Sequence, residues 1–289
     1  MSTIPCRERT FPLRLAPEFE YHWGYSLHWL KHLLQRLGRE HTLALYEDAF
    51  RTYDEGLLVQ ILSTGWEVTE ERAEEDVEEK VSDLVRKLFP LPVEGISGQE
   101  ARALVENTPP FRQIRQYLPD LNVKRQMATY EALHLFRDGL AVLTEELIGR
   151  YGKQGELIAY DTMLAELSEG SRPSVSVEEY MSKRQARFTS GPDKPNMYSA
   201  GLEVAFVGGS ETEVVTRVLE CEWARYYKEH HPKVGYLLAC ALDNAVYRSI
   251  NNRIRLQRTV TLMEDDTACD FRVYAVDDLS KLGGSDGSL

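Results

Sequence analysis

Apolar residues recur at helical spacing from Tyr21 to Leu37, where Trp23, Leu27, Leu30, Leu33, Leu34 and Leu37 form one stripe. Gly38 reads as its stop. A second helix is expected from about Glu40 to Tyr53, and a shorter third one through Leu62. The stretch Glu67–Lys87 is charged, with a thin apolar line at Val77, Val81, Leu84 and Val85, so an exposed helix is expected there. Its acid run (Glu70, Glu71, Glu74, Glu75, Asp76, Glu78, Glu79) reads as a solvated face. Pro90–Gly98 reads as a loop, and Glu100–Glu106 as a short helix ended by Pro109 and Pro110. The clearest long helix runs over Val123–Tyr151, with Met127, Tyr130, Leu133, Phe136, Leu140, Leu143 and Leu147 on one face, and another covers Glu156–Leu167.

After Tyr198 the period changes from helix to strand. Leu202, Val204 and Phe206 alternate, Gly208–Gly209–Ser210 makes a turn, and Val214–Cys221 returns as a second strand. A short helix follows at Glu222–Glu229, and Pro232 opens a longer one to about Ser249. Ile254–Met263 reads as a third strand, Glu264–Thr267 as a turn and Ala268–Tyr274 as a fourth strand. The fold class implied is α+β, a helical N-terminal half with a C-terminal four-stranded antiparallel sheet packed against helices. The expected organisation is a mainly helical region over 1–170 with an irregular leader over 1–18, and a connecting arm over 171–198 that holds Pro173, Pro192 and Pro195. An α+β domain then spans 199–276, and a small, polar, flexible tail 277–289.

Composition narrows the function. With 289 residues and 43% hydrophobic content the chain can bury a real core. A net charge of −12 argues against nucleic acid and anionic membranes, both of which attract Lys and Arg clusters. No stretch approaches the ~18 consecutive apolar residues of a membrane span. The start, MSTIPCRERTFPLRL, lacks the apolar stretch of a signal peptide. Four cysteines at 6, 221, 240 and 269 form no CxxC pair, so a reduced, cytoplasmic setting is expected. The expected partner is a small-molecule substrate, and an oligomer is compatible with the sequence.

Three of those cysteines fall in the last quarter, among acids and arginines at set offsets. The elements are Cys221 at a helix start, Cys240-x-x-Asp243, Asn252, Arg255-x-x-Arg258-Thr259, Met263, Asp265, Asp266 and Cys269-Asp270-Phe271. Over about residues 200–275 this pattern resembles the L-2-amino-thiazoline-4-carboxylic acid hydrolase family. The resemblance implies opening of a small cyclic amidine ring, 2-aminothiazoline carboxylate, to a carbamoyl-cysteine product. One departure is that Asn252 is followed by Arg253, where the family commonly has Pro.

The residues themselves suggest where such chemistry would sit. On the strand Ile254–Met263, Arg258 shares a face with Ile254, Leu256, Val260 and Leu262. A guanidinium among aliphatics needs either a carboxylate partner (Asp243, Asp266 or Asp270) or an anionic ligand to clamp, and both readings stay open. Arg255 points to the other face with Thr259. On the helix from Pro232, Tyr236, Cys240, Asp243 and Tyr247 form one stripe, a plausible wall of a polar pocket. Cys240 is a candidate nucleophile on an amidine carbon. Asp243 is alternatively a general base on water, with Asp270 protonating the leaving nitrogen. Tyr236, Tyr247, Asn252, Arg255 and Arg258 are the candidate substrate-binding residues. Cys269 and Cys221 read as core thiols. His22, His28 and His32 read as an aromatic-rich helix face rather than a metal site, and His230 and His231 as exposed. No metal and no cofactor are called for. The leading expectation is a hydrolase acting on a C–N bond of a small cyclic amidine, or related heterocycle, that bears an anionic group. The alternatives are a biosynthetic cyclase or isomerase reusing the pocket, and a non-catalytic binding module.

Overall fold

Phe11 and Leu13 alternate inward along Thr10–Arg14, which forms strand β1 inside the stretch expected to be an irregular leader. The structure is a computed structural model and describes residues 4–69, 77–169, 175–190 and 196–276. Residues 70–76 of the acid run, the prolines at 173, 192 and 195, and the tail from 277 lie outside the described residues. Helix α1 spans Leu15–Arg51 and kinks at Gly38, whose φ of +76° is open to glycine without strain. The expected stop is therefore a bend between two helical arms. Trp23, Leu27, Trp29, Leu30, Leu33 and Leu34 are fully buried, as their spacing requires.

Gly56–Leu62 forms α2, Glu67–Val68 the short strand β2, and Val77–Leu88 α3. Gly98–Glu106 forms α4, which starts on a reciprocal cap: the Ser97 hydroxyl accepts from Glu100 N–H, and the Glu100 carboxylate accepts from Ser97 N–H. Pro109 and Pro110 do not end that helix but open the next one, α5 over Pro109–Tyr117. A proline costs nothing in a first turn, where its missing N–H has no partner anyway.

The long helix expected over 123–151 is three elements. Val123–Ala128 is strand β3, pairing with β1 (Phe11 opposite Met127) and with β2, in a three-stranded sheet ordered β1-β3-β2. Thr129–Phe136 is α6 and Asp138–Tyr151 is α7. Met127 is buried in either period, so the apolar spacing alone could not separate strand from helix. Lys153–Glu169 follows as α8. Helices α3, α4, α7 and α8 pack on α1.

Val177–Ser190, within the expected connecting arm, is helix α9, with Val177 and Met181 buried. Met197–Gly201 is α10. Leu202–Gly209 (β4) and Glu213–Cys221 (β5) form the expected hairpin. Glu222–His230 is α11, started by Cys221, whose sulfur accepts from Ala224 N–H at 3.5 Å. The continuous helix expected from Pro232 is broken into α12, Gly235–Ala239, and α13, Asp243–Ile250. At the break the N–H groups of Cys240 and Ala241 both donate to the carbonyl of Tyr236.

Strand β6 covers only Ile254–Gln257, and Cys269–Ala275 is β7. The four strands form the antiparallel sheet β4-β5-β7-β6, so the chain has the α+β fold. Val177, Met181 and Tyr247 cover its face against Val214, Ile254, Leu256 and Val273. Tyr226, Tyr227 and Val234 pack on Leu133 and Ala141, which seats α11 against α6 and α7. Among the described residues, no helix is long and apolar enough to cross a membrane.

Candidate active site

Two polar clusters flank α11 and α12. The first holds part of the constellation expected from the sequence. Arg258, 9% exposed, pairs with the carboxylate of Asp243, and its Nη2 donates to the carbonyl of Cys240 at 3.1 Å. Its guanidinium also lies over the Phe271 ring, 5.5 Å from the centroid. Tyr236, 43% exposed, hydrogen-bonds the same guanidinium. Arg258 follows β6 instead of lying within it, so the face assignments that put Arg258 among aliphatics and Arg255 with Thr259 do not hold. The strand ends early because Asp270 captures the chain. Its carboxylate accepts from Thr259 N–H and Val260 N–H, each at 2.8 Å, and from the Thr259 hydroxyl at 2.7 Å.

The other expected site residues are spent locally. Burial opposes the charge on Asp270, but the Thr259 and Val260 donors outweigh it and hold the carboxyl below its ordinary range. A group held ionised in that way is a poor proton donor to a leaving nitrogen. Arg255 Nη1 folds back onto the backbone carbonyls of Asn252 (2.7 Å) and Ile254 (2.8 Å), and Asn252 itself is exposed. Tyr247 is buried between Tyr180 and Arg184, whereas Tyr236 is exposed. Burial pushes the Cys240 thiol up to about 12 despite Arg258, and the Cys221 thiol to about 11. Both stay protonated at neutral pH and are unreactive in that form. The Asp243 carboxyl is also raised, burial outweighing Arg258.

The second cluster was not foreseen. It lines a cleft of about 450 Å³ between the end of α1 and α2 on one side and α6, α7 and α11 on the other. At its centre is Asp138, the first residue of α7, where the helix N-terminus favours a negative charge. Its Oδ1 accepts from the Tyr226 hydroxyl at 2.5 Å and from His231 Nε2 at 2.7 Å, and Tyr53 is a third hydrogen-bond donor. Burial opposes ionisation, yet the donors from His231, Tyr226 and Tyr53 win and bring Asp138 down to about 2.

His231 was read as exposed, but it is 6% exposed. Its Nδ1 faces the Glu145 carboxylate at 3.3 Å, so the ring lies between two acids. Burial lowers its basicity, but Asp138 and Glu145 overcome that and raise it above the ordinary value. His134 meets the same aspartate from α6, Nδ1 to Oδ1 at 3.7 Å, and goes the other way. Burial, aided by the nearby His230 and His231, brings it down to about 4 against the pull of Asp138, so it is neutral at pH 7. His134 Nε2 is buried with no hydrogen-bond partner. His230, the neighbour of both rings, is bonded to the Tyr130 hydroxyl at 2.9 Å.

One signal could have pointed here. His134 and Asp138, and then Asp138 and Glu145, lie four and seven residues apart, which is one helical face, and Tyr226 and His230 are again four apart. Among the described residues, no group of three or more His, Cys, Asp or Glu is arranged to hold a metal ion. In this cleft the imidazoles are turned to carboxylates instead of to a shared centre.

Fold and cleft together define an α+β protein with an acid–imidazole cluster in a hollow of small-molecule size. The model of one family, L-2-amino-thiazoline-4-carboxylic acid hydrolase, matches residues 134–273. That is the family the C-terminal motifs resemble, and the match bears the resemblance out over that stretch. It begins at His134 and takes in the Arg258–Asp243 pair together with His134, Asp138, Glu145, Tyr226 and His231, but not Tyr53 or the α1 and α2 wall of the cleft. No curated protein and no solved structure matches the chain.

Proposed function

We propose that this protein is a hydrolase that opens a small cyclic amidine at a C–N bond, and that the reaction takes place in the Asp138 cleft. The observation that carries the reading is the pair His134 and His231. They face one carboxylate, His134 from α6 and His231 from the residue that follows α11, and their surroundings push their proton affinities apart. Two titratable groups separated in that way are the pattern of a base and an acid working together.

In this reading a water oxygen bonds to the amidine carbon while its proton passes to His134 Nε2, the unpartnered ring atom. The ring C–N bond then breaks, and the leaving nitrogen takes a proton from His231. The proton comes from Nδ1, whose 3.3 Å contact with Glu145 is the looser of its two. Asp138 is a positioning residue that fixes the His231 ring through Nε2, with Tyr53 and Tyr226 holding the aspartate in turn. The Arg258–Asp243 pair is assigned a structural role, since each partner already satisfies the other and Cys240 is too basic to attack as thiolate. The family's name, that of a hydrolase, supports the reaction class.

The test is ring opening of 2-aminothiazoline, with and without its 4-carboxylate, followed by chromatography. His231→Gln and His134→Asn are expected to lose about 10²–10⁴-fold in kcat, the range for removing a general acid or base. Full turnover in both variants would sink the reading. Ligand-induced stabilisation without consumption would mark a binding module instead.

A further inference from the structure

We infer that the cleft selects an amidine carrying positive charge and no carboxylate, with Asp54 and Glu145 as the residues that set this preference. The inference rests on the Asp138 cleft being the reacting site.

The charged groups lining the cleft are unbalanced. Asp54, Asp138 and Glu145 supply three carboxylates, and no Lys or Arg is among the lining residues. His231, whose proton affinity is raised, is shared between Asp138 and Glu145, and one imidazole does not offset three carboxylates. Arg258, the cation expected to anchor a substrate carboxylate, does not line the cleft and is bound to Asp243 and the Cys240 carbonyl.

A second feature shows that the cleft still has an acceptor to fill. His134 is only 8% exposed, lines the cleft, and keeps a buried Nε2 with no partner. With Nδ1 nearest the Asp138 carboxylate, the ring proton belongs on that side. Nε2 is then an acceptor waiting for an N–H or O–H donor. An amidinium brings N–H donors and positive charge to the acidic lining, and the water that attacks it brings the O–H donor that Nε2 accepts. A carboxylate brings neither, and would sit beside Glu145 and Asp54 with no guanidinium fork to receive it. Like charges placed together discriminate by repulsion.

Asp54 is the cleaner handle on this preference. It is exposed at the rim, and its Oδ1 accepts from Gly56 N–H at 2.9 Å. Asn in its place keeps that acceptor and removes only the charge. The experiment compares kcat/KM for 2-amino-2-thiazoline, a cation when protonated, with that for its 4-carboxylate. The comparison is made in the wild-type protein and in Asp54→Asn, at low and at high salt, with the melting shift given by each compound.

The expected result is a preference of about 10²-fold for the compound without carboxylate, of the size that one unpaired like charge imposes. Asp54→Asn should narrow the preference about threefold, and salt should narrow it further. Turnover that favours the carboxylate, with a ratio indifferent to Asp54, overturns the inference and leaves the hydrolase reading standing. A melting shift with the cation alone and no ring opening does the reverse, since the charge preference holds while hydrolysis fails. Neither turnover nor a melting shift with either compound overturns both.

Discussion

Asp138 and Asp243 each meet a cation in a half-enclosed setting, and the outcomes are opposite. Asp138 receives three donors, from His231, Tyr226 and Tyr53, and these outweigh burial, so the carboxylate stays ionised down to about pH 2. Asp243 has Arg258 as its charged partner, and burial prevails. The cations differ too. An imidazolium between Asp138 and Glu145 can give up its proton, whereas a guanidinium does not in the working pH range. An ion pair with Arg suits holding the break between α12 and α13 against the sheet. A pair with His suits moving a proton. The residue types thus separate a clamp from the proposed reaction centre, although both are an aspartate facing a base.

The largest expected effect tests that division directly. His231→Gln should lower turnover about 10³-fold, while Asp243→Asn should leave it within about tenfold, measured as kcat on any amidine the protein opens. Equal losses in the two variants would erase the distinction.

The converse is expected in stability. Arg258→Ala leaves the Asp243 carboxylate half-buried and unpaired, and should cost about 3 kcal/mol in urea unfolding. A loss below about 1 kcal/mol would make the pair a surface ornament rather than a clamp.

Acid titration sharpens the comparison further. A folded-state value of about 2 for Asp138, against an ordinary 3.8, contributes stability that is present above pH 3.8 and is lost as pH falls towards 2. The difference is worth about 2 kcal/mol. Unfolding free energy measured between pH 5 and pH 2 should show this limb in the wild type and in Asp243→Asn, and show it flattened in Asp138→Asn. On the alkaline side, the raised His231 contributes stability that is complete below its unfolded value and lost as pH rises through its folded one. His231→Gln should remove that dependence.

The smallest effect concerns Cys240. Cys240→Ala should keep turnover within a factor of about two. With its thiol near 12, native Cys240 should resist iodoacetamide at about pH 8 until the protein is unfolded. Fast labelling of the folded protein would restore it as a candidate nucleophile.

Much of the fold was legible where a local rule acts alone. The α1 stripe is buried as its spacing demands, and Gly38 marks the bend. The β4–β5 hairpin and the presence of four antiparallel strands follow from alternation and turn chemistry, whereas their order, β4-β5-β7-β6, comes from tertiary pairing. Local spacing failed where two periods share the same residues. Met127 fits a helix and a strand equally, and only the partner β1, itself read as leader, selects the strand. It failed again where a distant donor or acceptor ends an element. The strand after Gln257 stops because Asp270, on β7, takes the N–H groups of Thr259 and Val260. Of the nominated site, Arg258, Asp243, Cys240 and Tyr236 do meet. Tyr247 packs on Tyr180, Arg255 folds back onto the backbone, and Asn252 is exposed.

The sequence by itself determined the α+β class, the apolar face of each main helix and the family resemblance, because these rest on spacing along the chain. Only the tertiary structure decided which acid meets which base. Asp138 and His231 are 93 residues apart and come within 2.7 Å because α11 packs on α6 and α7. Burial and donor count are properties of that packing, and they set whether a carboxylate or an imidazole carries charge. No local pattern encodes them.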